Sequence, residues 1–190
     1  MKILFFGGAL RKDSCNKKFV REAMRMVESK GGHQTEFLDL KDYLMPPYDG
    51  DIEAATGVPE TTTKLGAKIR EANALIISTP EYNGSIPGIL KNVIDWLSRE
   101  KQISLTGKPL LLLGASPGAL GAVRSLWHTR QPFEVLGVHV FPGMMGLPNA
   151  YNAFDEQGRL KEEKTMQQLQ KLIDQFLDHL VSGSHPGRVI

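Results

Sequence analysis

Ala74-Leu75-Ile76-Ile77-Ser78-Thr79-Pro80-Glu81-Tyr82-Asn83-Gly84-Ser85-Ile86-Pro87-Gly88-Ile89-Leu90-Lys91-Asn92-Val93-Ile94-Asp95-Trp96-Leu97 reads as a strand, a loop and a helix in direct succession. Residues 74–78 form an almost wholly apolar run without helical period, the pattern of a parallel strand covered on both faces. Pro80 stops it. Pro87 suits a first helical turn, after which Leu90, Ile94 and Leu97 recur three or four apart on one face, with Val93 and Trp96 beside it. The loop between is rich in turn formers and lies at a strand's carboxyl end, where open α/β sheets bind ligands. It is the first candidate site.

The same grammar repeats outward. Residues 3–6 make a first strand, Gly7 to Asn16 a loop, and residues 17–30 a helix with Phe19, Val20, Ala23, Met26 and Val27 on its apolar face. A shorter strand of mixed polarity over 34–40 belongs at or near a sheet edge. The tract 44–59 has no steady period and reads as a long loop, followed by a helix over 60–71. Residues 110–114 make a fourth strand, and a second glycine-containing loop then leads into a helix carrying Val123, Leu126 and Trp127. A fifth strand spans 137–141 and is broken by Pro142-Gly143. The last helix runs over 159–181 on a stripe of Leu169, Leu172, Ile173, Phe176, Leu177 and Leu180. Residues 1–181 thus form one domain, and 182–190 a loose tail. Five strands alternating with helices predict an α/β three-layer sandwich, since right-handed crossovers place helices on both faces of a parallel sheet. The expected fold is flavodoxin-like with strand order 2-1-3-4-5, which brings the loops after strands one, three and four to one crevice.

Composition narrows the partners. The 190 residues carry a formal net charge of +2, with 23 basic side chains scattered among 21 acidic ones, so neither a nucleic-acid nor a membrane partner is indicated. The single cysteine, Cys15, excludes an intrachain disulfide and a Cys-rich metal site, and suits a reducing cytoplasm. No apolar run approaches the ~18 residues of a membrane span, and the opening one is too brief for a secretory signal. His33, His128, His139, His179 and His185 lack metal-like clustering, and no metal is expected.

The first loop, Gly7 to Asn16, is a natural phosphate site, because the first N–H groups of a helix lack internal partners and the helix dipole favours an anion. Arg11, Ser14 and Asn16 add donors. An alternative stays open: Gly7 and Gly8 permit a tight turn, Ser14 or Asn16 caps the helix, and Arg11 is solvated. Neither G-x-G-x-x-G nor G-x-x-x-x-G-K-[ST] is present. Asp39, at the end of the second strand, is a weak hint of a ribose contact.

Three blocks, Gly8 to Asn16, Pro80 to Gly88 with Leu90-Lys91-Asn92 and Ile94-Asp95-Trp96, and Ser116 to Arg124, together resemble the NADPH-dependent FMN reductases, including the chromate, quinone and azo reductases of bacteria. The resemblance runs from Lys2 to about Leu180. It implies FMN as cofactor and NADPH or NADH as co-substrate. Arg11, Ser14 and Asn16, with nearby backbone N–H groups, would hold the phosphate, and Ala9, Leu10 and Cys15 would complete that cofactor-binding loop. Pro80, Glu81, Tyr82, Asn83 and Gly84 would line the isoalloxazine, with Ser116 and Gly118 closing the other side. No side chain is assigned a catalytic role, since flavin N5 accepts the hydride. Electrons would pass to a small-molecule acceptor such as free flavin, a quinone, an azo compound or chromate. Within this pattern Glu81 reads as ordering its loop by accepting backbone N–H bonds, and Cys15 as a small packing residue. Ala9 departs from the family's usual Ser, removing a hydroxyl worth roughly 1 kcal/mol as an ordinary hydrogen bond. The resemblance also implies a homodimer or homotetramer, for which Trp96 and Trp127 offer aromatic anchors. One alternative is a flavodoxin-like electron carrier that binds FMN without oxidising NADPH, although such carriers are strongly acidic on one face. Another is a flavin-free, Rossmann-type dehydrogenase.

Overall fold

The computed structural model describes residues 1–182. Its strands are β1 (Lys2–Gly7), β2 (Gln34–Leu38), β3 (Ala74–Thr79), β4 (Pro109–Ala115) and β5 (His139–Leu147). Its helices are α1 (Cys15–Lys30), α2 (Gly50–Thr56), α3 (Glu60–Glu71), α4 (Gly88–Leu97), α5 (Val123–Val135) and α6 (Glu163–Ser182). All strand pairs are parallel, in the order β2-β1-β3-β4-β5, so the flavodoxin-like topology is as expected.

Strand alternation divides the core into two layers. Leu4, Phe6, Leu75, Ile77, Leu110 and Leu112 face α3, α4 and α5. Ile3, Phe5, Ala74, Ile76, Leu111 and Leu113 face α1 and α6. Every residue of β3 is buried, which is why residues 74–78 read as an almost wholly apolar run rather than an alternating one. β2, paired on one side only, is half-exposed along most of its length.

Five local expectations change. Within the tract read as one loop, residues 50–56 form α2. It buries none of its residues and is defined by its ends: the Asp49 side chain accepts from the Asp51 N–H at 2.8 Å, and Gly57 at φ 73° closes it. Pro142-Gly143 does not end the fifth strand. β5 continues to Leu147 through an irregularity in its pairing with β4, and the missing N–H of Pro142 is tolerated because β5 is an edge. β2 ends at Leu38, and Asp39 instead caps a 3-10 turn over Leu40–Tyr43. Trp96 is fully buried, its Nε1 donating to the Pro46 carbonyl at 2.8 Å and its ring meeting Tyr48 edge-on, so it is no surface anchor. Trp127, by contrast, is 61% exposed. The last helix starts at Glu163, later than expected, and includes Ser182; the rest of the expected tail, 183–190, lies outside the described residues.

Candidate active site

Each of the loops after β1, β3 and β4 reaches the carboxyl edge of the sheet, and one side chain binds them together. Ser14 is the N-cap of α1, its Oγ accepting from the Asn16 N–H at 3.2 Å, which places Asn16 inside the first turn. The Asn16 amide is buried. Its Nδ2 donates to the Ala115 carbonyl at 2.9 Å, and its Oδ1 accepts from the Ala115 N–H and from Ser78 Oγ, both at 2.8 Å. The side chain is therefore spent on tying α1 to the ends of β3 and β4. Asn16 still lines the cleft, with one hydrogen of its Nδ2 engaged by Ala115.

The first loop starts with the Gly8 N–H donating to the Ser78 carbonyl and the Ala9 N–H to Gly7, each at 2.8 Å. Beyond Ala9, the N–H groups of Arg11, Lys12 and Asp13 meet no acceptor among the described residues. Arg11 is exposed and has no carboxylate within ion-pair distance among those residues, whereas Asp13 is taken by Lys18 at 2.6 Å. Free N–H groups, an unpaired guanidinium and a helix amino terminus make a donor set suited to a phosphate dianion. Cys15 stands beside it, with burial pushing its thiol pKa up against the pull of Lys18, and with Sγ 3.5 Å from the Ala150 carbonyl. Its side chain is partly buried against the apolar layer beneath α1 and α6.

After β3, Tyr82 and Ser85 exchange backbone hydrogen bonds across Asn83 and Gly84, whose φ values are 51° and 78°. Two successive positive φ angles define the tight turn that Asn-Gly favours. Asn83 and Gly84 therefore build the turn rather than the wall, and Tyr82 is presented 53% exposed. Glu81 points the other way. Its side chain, 7% exposed, accepts from the N–H groups of Arg124 and Ser125 at 3.2 and 3.4 Å and from the Arg124 guanidinium. Because Ala122 gives α5 no side-chain cap, Glu81 supplies one from the neighbouring loop. The Arg124 hydrogen bond, against a contrary effect of burial and with help from the Ser125 N–H, holds the Glu81 carboxyl below the usual range. Ser125 Oγ also donates to the Pro80 carbonyl at 2.8 Å.

These walls enclose a cleft of about 210 Å³. Of the residues singled out above, Ala9, Arg11, Ser14, Cys15, Asn16, Pro80, Glu81, Tyr82 and Ser116 line it. Leu10 instead packs against the apolar layer beneath, and the Gly118 N–H closes a small turn onto Ser116 Oγ at 3.2 Å. The sequence reading missed Asp13, Ala115, Pro117 and Tyr151. Tyr151 is 67% exposed on the connection after β5, which the Ala150 N–H fixes to the Ser116 carbonyl at 3.1 Å. It has no periodic or motif signal. A wider groove of about 530 Å³ runs between α4 and α5, but helix flanks line most of it, including Ile94, Pro132 and Val135.

Fold and cleft define a domain of the flavodoxin class, in which the loops after β1, β3 and β4 meet at the carboxyl edge of the sheet. The chain belongs to the NADPH-dependent FMN reductase family, whose model matches residues 1–152. It is 39% identical over 173 residues to an NAD(P)H-dependent FMN reductase of Pseudomonas aeruginosa, covering 90% of each chain. It is 34% identical to a quinone reductase of Escherichia coli K12 over 95% of this chain and 89% of that one. Among solved structures, FerB, a flavoenzyme NAD(P)H:(acceptor) oxidoreductase of Paracoccus denitrificans, aligns with a TM-score of 0.77 at 33% identity, covering 95% of this chain and 97% of that one. The protein is thus an oxidoreductase of a family that works with FMN and NAD(P)H, and the donor set of the first loop fits the phosphate of that cofactor. Among the described residues no helix is long and apolar enough to cross a membrane, and no group of three or more acidic, His or Cys side chains is placed to hold a metal.

Proposed function

We propose that the protein takes hydride from NADPH or NADH and passes electrons to free flavin or a quinone, with azo compounds and metal oxyanions such as chromate as further acceptors. The convergence of the three loops on one cleft, with unspent anion donors at one wall and an exposed tyrosine at another, carries this reading. When bound, FMN supplies two-electron chemistry: it accepts hydride and returns the electrons to a second substrate. The chain's own residues bind and orient. Arg11 and the free N–H groups hold the phosphate, the Asn83-Gly84 turn presents Tyr82 to the ring, and Asn16 and Glu81 keep the loops from moving apart. Glu81 has no part in proton transfer, because both of its oxygens are engaged by Arg124 and Ser125.

The deciding measurement is the visible spectrum of the purified protein before and after anaerobic addition of NADPH or NADH. A yellow protein that bleaches within the turnover time supports the reading. A yellow protein left oxidised by either nucleotide would make it an electron carrier, and a protein unable to take up FMN would reject both. We further propose a homodimer or homotetramer, acting in the cytoplasm as the lone cysteine suggests.

A further inference from the structure

Lys17 is only 5% exposed, although it is a lysine in the first turn of α1. Both circumstances are unfavourable: burial strips the ammonium of water, and the amino end of a helix carries positive partial charge. Two contacts compensate. Nζ lies 2.6 and 2.7 Å from the carboxylate oxygens of Asp39, just past β2, and 3.4 Å from the carbonyl oxygen of Leu10. Burial alone would raise the Asp39 carboxyl, but Lys17, the Lys41 N–H and the nearby charges bring it below its ordinary value, so Asp39 offers Nζ a carboxylate at neutral pH. The lysine stem runs so close to β1 that a Cβ at Gly7 would stand 3.1 Å from Lys17 Cγ.

Leu10 separates Ala9 and Arg11, which both line the cleft. Among the described residues, the bond from Lys17 is the one polar tie made by the backbone of residues 10–12. Asp39, meanwhile, occupies the place where a dinucleotide-binding domain turns an acidic side chain to a ribose. Here it is spent on the lysine.

We propose that Lys17 is a positioning residue for the cofactor's phosphate: by joining the Asp39 carboxylate to the Leu10 carbonyl, it sets the path of the loop that presents Arg11 and the free N–H groups. This rests on the reading of the first loop as the phosphate site. The lysine does not touch the ligand. It acts through the loop, so its loss lowers affinity for the phosphate-bearing flavin and leaves the binding of the bare ring system alone.

The test uses the flavin-free protein titrated with FMN and with riboflavin, following flavin fluorescence, alongside thermal melting. Lys17→Met leaves Asp39 unpaired, so the principal variant is Lys17→Met with Asp39→Leu, which removes the pair as a unit, a change that buried ion pairs often tolerate. The expected result is a cooperative melt, an FMN dissociation constant raised about tenfold, and riboflavin affinity within about twofold of the parent. Should the double variant not melt cooperatively, Lys17→Gln, too short to span to Leu10, is read by the same ratio. Equal shifts for the two flavins, or none for either, overturn the proposal. If the parent protein binds FMN no tighter than riboflavin, the phosphate reading itself fails, independently of Lys17.

Discussion

At the scale of single residues, Arg11 and Asn16 show how neighbours in one motif divide the work. Arg11 is exposed and meets no ion-pair partner among the described residues, so its removal is expected to cost the flavin-free protein little. Arg11→Ala should weaken FMN binding on the order of ten- to a hundredfold, the worth of a charge-assisted bond of ~1.5–3 kcal/mol, with riboflavin affinity and apo stability nearly unchanged. Loss of apo stability with no change in the FMN-to-riboflavin ratio would make Arg11 structural instead. Asn16 behaves oppositely. Its amide satisfies both backbone groups of Ala115 and the Ser78 hydroxyl in a buried site, so Asn16→Ala should cost about 2–4 kcal/mol in a urea titration of the apoprotein. A cost below about 1 kcal/mol would show that the three loops are held by other means. Both residues have donor side chains, and residue type is all that a sequence displays. Which one faces a ligand depends on Ser14 taking the cap and turning Asn16 inward.

At the scale of elements, legibility followed the burial of each segment. β3 and α4 were plain because their patterns are set by what they bury, and α3 fell at its expected bounds for the same reason. α2 was invisible: with no buried residue it has no apolar period, and only Asp49 and Gly57 mark it. The continuation of β5 through Pro142 was equally hidden, since an edge position is a property of the sheet and not of the strand. The cap that Glu81 gives α5 also joins elements distant in sequence. Its folded-state pKa lies below the unfolded one, so the stabilisation is present above the ordinary glutamate value of about 4.3 and is lost as pH falls through the lower folded value. Glu81→Gln should therefore lower stability by roughly 1–2 kcal/mol at pH 7, and the gap from the parent should shrink in acid. A gap that is the same at pH 7 and pH 3.5 would mean that the charge of Glu81 contributes nothing.

At the scale of the whole molecule, the sheet order followed from chain grammar, but the surface through which copies meet did not. Trp96 and Trp127 read alike in sequence, each a large aromatic on an amphipathic helix. The segment around Pro46 and Tyr48 covers the first, and nothing within the described residues covers the second to that degree. Trp127 at 61% exposure and Val135 at 79% lie on α5, whose flank forms the apolar groove shared with α4. Leaving these side chains in water forgoes burial worth about 25 cal/mol per Å² of apolar surface, and an aromatic anchor beside a groove suits the centre of an interface. If a second copy covers this face, Trp127→Arg places an unpaired charge there and should convert the oligomer to a 21.0 kDa monomer in light scattering at micromolar concentration. The melting temperature of that monomer should no longer vary with protein concentration, whereas that of the parent should rise with it. A parent protein already monomeric at micromolar concentration would remove the oligomer proposal, and an oligomer indifferent to Trp127→Arg would move the interface to another face.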